Sequence, residues 1–222
     1  DGTKRLIDYS IKNKIKKFIY LSTVQVHGDF TNRFESINEN SPYNPQSDYA
    51  RSKIAAEEYI IRKFLNFCET KFIIIRSPLI YGKGVKGNLK SLKKLLRLNI
   101  PIPLDGVNNS RSLISLSNIT NFIYKCVYYN HIENEVFLIS DNNNMSTSKL
   151  IRKMVKYSKS PLIMFYLPKI LLKSFFILVN KKIYIKKLLL DYKIDISKVL
   201  KMTDWHPKKD TDNDIAEMMR DD

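Results

Sequence analysis

Two short apolar runs, Phe18-Ile19-Tyr20-Leu21 and Phe72-Ile73-Ile74-Ile75, flank a single long helical pattern, and this arrangement constrains the fold more than any other feature of the chain. Runs of four continuous apolar residues suit strands buried on both faces of a parallel sheet. Between them, a helix predicted from Ser47 to about Phe67 carries Ile54, Ala55, Tyr59 and Ile60 as its apolar stripe. Strand, crossover helix and strand make the βαβ unit of an α/β fold.

The remaining pattern builds around that unit. Leu6, Ile7, Ile11 and Ile15 fall on one face of an opening helix, and residues 28–48, polar and rich in Asn, Ser and Pro, read as a surface loop. After Gly87 come a basic helix (Leu89 to Leu98), the run Pro101-Ile102-Pro103-Leu104 and a helix from Ser117 to Tyr129. A third strand follows at Glu135–Ile139, and the chain is mostly helical from Met145 onward. No repeat or flexible linker appears. The change of pattern near residue 85 divides the chain into 1–85 and 86–222, with the strand near 135–140 returning to the first sheet.

Composition narrows the function. Of 222 residues, 44% are hydrophobic and 27% charged, a globular balance. The net charge of +16 favours anionic partners, or else is a Lys bias spread over the whole surface. Cys68 and Cys126 cannot form a disulfide framework, and His27, His131 and His206 are far apart, so no metal site is expected. The start has no apolar signal region, and the most apolar stretch, Ile170 to Val179, contains Lys173 and is too short for a bilayer, so a cytoplasmic location is expected. Segment 168–190 is apolar and basic together. It reads as a core-packed helix pair with its Lys residues in solvent, with a peripheral membrane helix as the alternative. No recognised nucleic-acid motif occurs, and the aromatic residues are not interleaved along one basic surface, so nucleic acid is not expected as a partner.

The chemistry-bearing residues are Tyr49 and Lys53, whose i, i+4 spacing puts phenol and ammonium on one helix face. A nearby cation favours the phenolate and lowers a pKa that is ordinarily about 10. On its own, such a pair reads equally as an exposed Lys beside a half-buried Tyr. The first strand ends in Ser22-Thr23-Val24-Gln25-Val26-His27-Gly28, where a hydroxyl points into the crevice at the carboxyl edge of a parallel sheet. A hydroxyl, a phenol and an ammonium converging there can handle the proton of a carbinol or carbonyl.

Six ordered segments resemble the extended short-chain dehydrogenases/reductases, in particular the epimerase/dehydratase group acting on nucleotide sugars. They are Asp1-Gly2-Thr3, Ser22 to Gly28, Pro42-Tyr43 through Tyr49, Lys53 and Ala56-Glu57, Arg76-Ser77-Pro78-Leu79-Ile80-Tyr81-Gly82, Arg111-Ser112-Leu113-Ile114, and Trp205-His206-Pro207. The resemblance implies a Rossmann-type parallel sheet, of which only the C-terminal part is present, followed by a smaller C-terminal substrate-binding domain. It implies NAD or NADP as cofactor, a nucleotide-sugar substrate reacting at C4, and a homodimer when full length. By the same resemblance Tyr49 is the acid/base, Lys53 lowers its pKa and holds the nicotinamide ribose, and Thr23 hydrogen-bonds the reacting oxygen. Pro78 lies beside the nicotinamide, while Asn88 and Arg111 meet the substrate diphosphate. The plain alternatives are a helix N-cap for Asn88 and a solvated strand charge for Arg111.

Gly82-Lys83-Gly84-Val85-Lys86-Gly87 is a literal G-x-G-x-x-G, with Asp105 downstream. It is not read as the dinucleotide fingerprint, because its first glycine belongs to the Arg76–Gly82 match and Pro78 interrupts the strand leading in. The family's own glycine-rich turn lies in its first βα unit, so roughly three such units of ~30 residues are expected upstream of residue 1. Two departures matter: His27 stands where the family's epimerases usually carry Tyr, and Val24-Gln25 where its dehydratases carry an Asp-Glu pair. The second departure argues against a dehydratase, and Gly84-Val85-Lys86-Gly87-Asn88 with Asn109-Ser110-Arg111-Ser112-Leu113 resembles a subgroup of 4-ketoreductases and epimerases serving surface-polysaccharide sugars.

Overall fold

The computed structural model describes residues 2–220 except 68, 99, 130, 159–160, 162, 179, 181–182 and 209–211. Asp1, Cys68 and Val179, named above, lie outside the described residues. In chain order the elements are α1 (Gly2–Lys12), β1 (Lys17–Thr23), α2 (Asp48–Phe67), β2 (Lys71–Ser77), β3 (Leu79–Tyr81), α3 (Gly87–Arg97), β4 (Ile102–Asp105) and β5 (Leu113–Ser115). There follow α4 (Leu116–Tyr128), β6 (Glu135–Leu138), α5 (Thr147–Ser158), β7 (Met164–Tyr166), α6 (Lys169–Leu178), α7 (Ile183–Leu189), α8 (Ser197–Met202) and α9 (Asp212–Arg220).

The main sheet runs β1-β2-β6, all parallel, with Phe18 opposite Phe72 and Ile75 opposite Phe137. Side chains alternate across β2 and divide its burial between two layers. Phe72 and Ile74 pack with Ile7 of α1 and Ile60 and Phe64 of α2. Ile73 and Ile75 face the other way, into a core with Phe122 of α4, Phe137 of β6 and the lone tryptophan, Trp205. β2 is therefore covered on both faces, as its apolar run requires, whereas β1, at one edge of the β1-β2-β6 sheet, is half-buried along Phe18–Tyr20 and exposes Leu21.

Only part of the expected α1 stripe is buried. Ile7 is fully covered, but Leu6 is exposed, and so is Ile15, which lies past the helix end at Lys12, where Lys14 turns left-handed at φ 51°. That turn lets the Ile15 N–H bond back to the Ser10 carbonyl at 3.0 Å. At the start of α2, Ser47 accepts from the Ala50 N–H at 3.2 Å and caps the helix.

Pro78 separates β2 from β3. Lacking an N–H, it cannot extend the β2 ladder, and the chain passes into a second small sheet in which β3 pairs parallel with β5. A third pair joins β4 and β7. A second core forms between α3, β4, α5, α6, α7 and α9 around Leu96, Ile151, Met154, Leu172 and Met218. The expected helix pair at 168–190 departs from the sequence reading. α6 buries only Leu172, and five of its apolar residues are exposed, since a single stripe of the helix meets the rest of the molecule.

Residues 191–195 form an extended strap between the two cores. Backbone N–H groups of Thr31 and Ile37 bond to Asp191 and Lys193 carbonyls on one side, and Tyr192 exchanges bonds with Ser110 and Ser112 on the other. The buried Tyr192 hydroxyl donates to the carbonyls of Val24 and Gly28 at 2.6 and 3.0 Å.

Candidate active site

At the carboxyl edge of the main sheet, β1 ends in Thr23, whose Oγ1 accepts from the Gln25 N–H at 3.3 Å and caps a short 3-10 turn, Val24–His27. Tyr49 and Lys53 lie one turn apart at the start of α2. The Lys53 ammonium donates to the Leu21 carbonyl at 2.8 Å and sits 4.6 Å from the Tyr20 ring centroid. This contact fixes the helix start against the last residues of β1.

Thr23, Tyr49, Lys53, Pro78, Asn88 and Arg111 all line one cavity of about 1270 Å³. Asn88 is not an N-cap: Lys86 holds that position, and Asn88 is the second residue of α3. Nor is Arg111 a solvated strand charge. It is half-buried, and its Nη1 donates to the carbonyls of Lys186 and Leu190 at 3.2 and 3.1 Å, near the C-terminal end of α7. Among the described residues its hydrogen-bond partners are carbonyls and not carboxylates, and the carboxylates of Asp29 and Asp191 act on it only through their charge.

The direction of the Tyr49 shift is set by its own burial and not by Lys53 in this structure. Partial burial raises the phenol above its ordinary value of 10.0. The ammonium lies 5.8 Å from the Tyr49 ring centroid and is engaged with Leu21, and its own value is lowered by burial.

Behind the cavity is a buried cluster that pattern reading missed. Glu57, one turn beyond Lys53, receives Arg76 Nη2 at 2.6 Å and Nε at 3.1 Å, the Tyr43 hydroxyl at 3.1 Å, and the Ser22 hydroxyl. The two charged side chains are 0% and 4% exposed. Arg76 Nη1 also lies 2.9 Å from His27 Nε2, while His27 Nδ1 lies 3.1 Å from the Pro42 carbonyl. The neutral Nδ1–H tautomer satisfies both contacts, and burial lowers the His27 pKa. The available signal was a lone Arg near the end of a buried strand together with Glu57, which falls on the same face of the facing helix as Lys53.

The glycine-rich loop 82–87 follows β3, outside the main sheet, and opens α3. Gly82 has φ 141°, and a Cβ there would meet Leu116 Cβ at 2.7 Å. Val24 is buried and Gln25 lines the cavity, so these positions offer an apolar group and an amide in place of an acidic pair.

A parallel sheet whose carboxyl edge gathers a hydroxyl, a phenol and an ammonium around one crevice defines the class: a Rossmann-type fold with a Tyr–Lys site. The chain belongs to the NAD-dependent epimerase/dehydratase family, whose pattern its residues 1–110 match. It is 30% identical over 207 residues to a UDP-glucose 4-epimerase of Vibrio cholerae, covering 93% of this chain and 63% of the relative. It is 28% identical over 155 residues to an N-acetyl-α-D-glucosaminyl-diphospho-ditrans,octacis-undecaprenol 4-epimerase of Escherichia coli O157:H7, covering 69% and 46%. In fold it is similar to a UDP-glucuronic acid 4-epimerase of Bacillus cereus solved with NAD, with a TM-score of 0.77, 19% identity, and coverage of 98% and 65%. The chain thus spans less than two thirds of the length of these relatives.

Proposed function

We propose that the residues around this cavity serve oxidation and reduction at C4 of a UDP-hexose with NAD or NADP, the chemistry of a UDP-glucose 4-epimerase or a 4-ketoreductase. The observation that carries this reading is that Thr23, Tyr49, Lys53, Pro78, Asn88 and Arg111, from five separate segments, line one cavity. The Vibrio and Bacillus relatives, named as 4-epimerases, support it. Residues 1–85 are then the cofactor side, and 86–222 mainly the substrate side.

The residues present fit the nicotinamide half of such a cofactor: Lys53 has donors beyond the one spent on Leu21, and Pro78 offers an apolar wall. When bound, the nicotinamide supplies the hydride acceptor and donor for the sugar carbon. Tyr49 exchanges the proton of the C4 oxygen. Thr23 Oγ1 accepts from Gln25, which leaves its own hydrogen to donate to that same oxygen. Partial burial keeps the Tyr49 phenol protonated, and bringing the Lys53 ammonium from the Leu21 carbonyl toward it is what lowers its pKa for proton uptake. The face of Arg111 not held by the two carbonyls binds the diphosphate, and Asn88, lining the same cavity, is its second contact.

The test is interconversion of UDP-glucose and UDP-galactose, followed by NMR with added NAD, in the protein carrying these residues. Tyr49→Phe is expected to lower kcat at least ~100-fold with the fold intact. Near-normal turnover by that variant, or no C4 chemistry by the unaltered protein on any UDP-hexose, refutes the reading.

A further inference from the structure

Twelve of the net sixteen positive charges come from two segments, 83–104 and 161–190, each with six Lys or Arg and no Asp or Glu. These segments lie side by side. β4 pairs with β7, the Ile102 N–H bonds to the Ile163 carbonyl at 3.0 Å, and Leu95 of α3 and Phe175 of α6 wall the same cavity.

α6 is the least covered helix of this face. Leu172 is buried and Phe176 packs against Tyr184, with ring centroids 6.1 Å apart. Ile170, Leu171, Phe175, Ile177 and Leu178 face outward, Leu178 86% exposed, and Leu98 and Ile163 of the same two basic segments are 65% exposed each. Lys169 and Lys173 stand exposed on the same helix. Leu95, Ile100 and Phe175 belong both to the exposed surface and to the cavity wall, so the patch forms part of the cavity rim.

We propose that this α6 face docks on an anionic lipid bilayer and holds the cavity rim at the membrane surface. An exposed apolar patch flanked by lysines supplies the two favourable contributions to peripheral lipid binding, insertion at the headgroup boundary and attraction to acidic headgroups. A second copy of the chain would bring the same positive charge against it. Nucleic acid would meet the lysines and leave the leucines and isoleucines in water. Docking is peripheral, since no described helix is long and apolar enough to cross a membrane.

The experiment is co-sedimentation of the chain with phosphatidylcholine vesicles, with and without phosphatidylglycerol, across a salt series. Binding is expected only with phosphatidylglycerol, falling as salt rises. Ile170→Ser with Leu178→Ser, and separately Lys169→Glu with Lys173→Glu, each weaken it at least ~10-fold. Thermal unfolding followed by Trp205 fluorescence restricts the comparison to folded variants, and the salt series needs no variant. Equal binding to phosphatidylcholine alone, variants that bind like the unaltered chain, or folded chain left in the supernatant overturns the proposal. So does a dimer abolished by Ile170→Ser with Leu178→Ser, or a duplex oligonucleotide bound as tightly with the same loss on charge reversal; these reassign the face to a second copy or to nucleic acid.

Discussion

Replacing Glu57 by alanine removes the only carboxylate paired with the Arg76 guanidinium among the described residues, and both groups lie out of water. Two hydrogen bonds to Glu57 Oε2, from Arg76 Nη2 at 2.6 Å and Nε at 3.1 Å, are lost, and the Ser22 and Tyr43 hydroxyls lose an acceptor. What remains for Arg76 is the Tyr43 oxygen at 2.8 Å, His27 Nε2 at 2.9 Å and the Glu39 carbonyl at 3.4 Å, all without charge. Stranding one member of a buried pair costs about 3–5 kcal/mol. At about 2–4 °C per kcal/mol for a chain of this size, the melting midpoint falls by roughly 6–20 °C. Trp205, buried in the core on the opposite side of the sheet, gives the assay through its fluorescence. Glu57→Ala with Arg76→Ala should cost about 1–3 kcal/mol less than the two single changes added together. Asp48→Ala, which breaks the exposed Asp48–Arg51 pair, is the control and leaves the midpoint unchanged. If Glu57→Ala moves the midpoint no further than Asp48→Ala, the cluster does not stabilise the site as argued.

His27 and Gly82 give two further tests. Burial lowers the His27 pKa below its ordinary 6.5, so the unfolded chain takes up a proton first as pH falls, and stability is lost from about pH 6.5 downward. His27→Gln should remove that component, read as a smaller drop in melting midpoint between neutral and mildly acidic pH than in the unaltered chain. Gly82→Ala adds a Cβ 2.7 Å from Leu116 Cβ at a φ of 141°, and should cost about 1–3 kcal/mol in denaturant unfolding; an unchanged midpoint contradicts the observed turn.

The βαβ unit was legible because both strands carry four unbroken apolar residues, although only those of β2 are fully buried and β1 is half-buried with Leu21 exposed. β1 and β2 contain the apolar runs at 18–21 and 72–75, and α2 begins one residue after Ser47. α1 was less legible: Leu6 and Ile15 carry the right spacing, but periodicity shows which residues share a face and not whether anything covers it. The same limit applies to α6, where an apolar sequence met only a narrow stripe of partners. Pro78, Asn88 and Arg111 were found through motif resemblance, and their common cavity depends on β3 pairing with β5 and on the carbonyls of Lys186 and Leu190, which lie 75 and 79 residues from Arg111 in sequence. The Tyr49–Lys53 spacing was legible, whereas the sign of the Tyr49 shift was not, because it depends on how far the ring is buried and where the ammonium points.

The strap at 191–195 ties the unfolding of one core to that of the other. Tyr192 holds the turn at Val24 and Gly28 through its hydroxyl and residues 110–112 through its backbone, so both sides of the cavity are fastened to the same strap. Opening the cleft by a hinge would break those main-chain bonds together with a buried phenol contact, which favours a cleft of fixed width. Both cores should therefore exchange their amide hydrogens as one cooperative unit, with protection lost across Ile73–Ile75 and Leu150–Met154 in the same event.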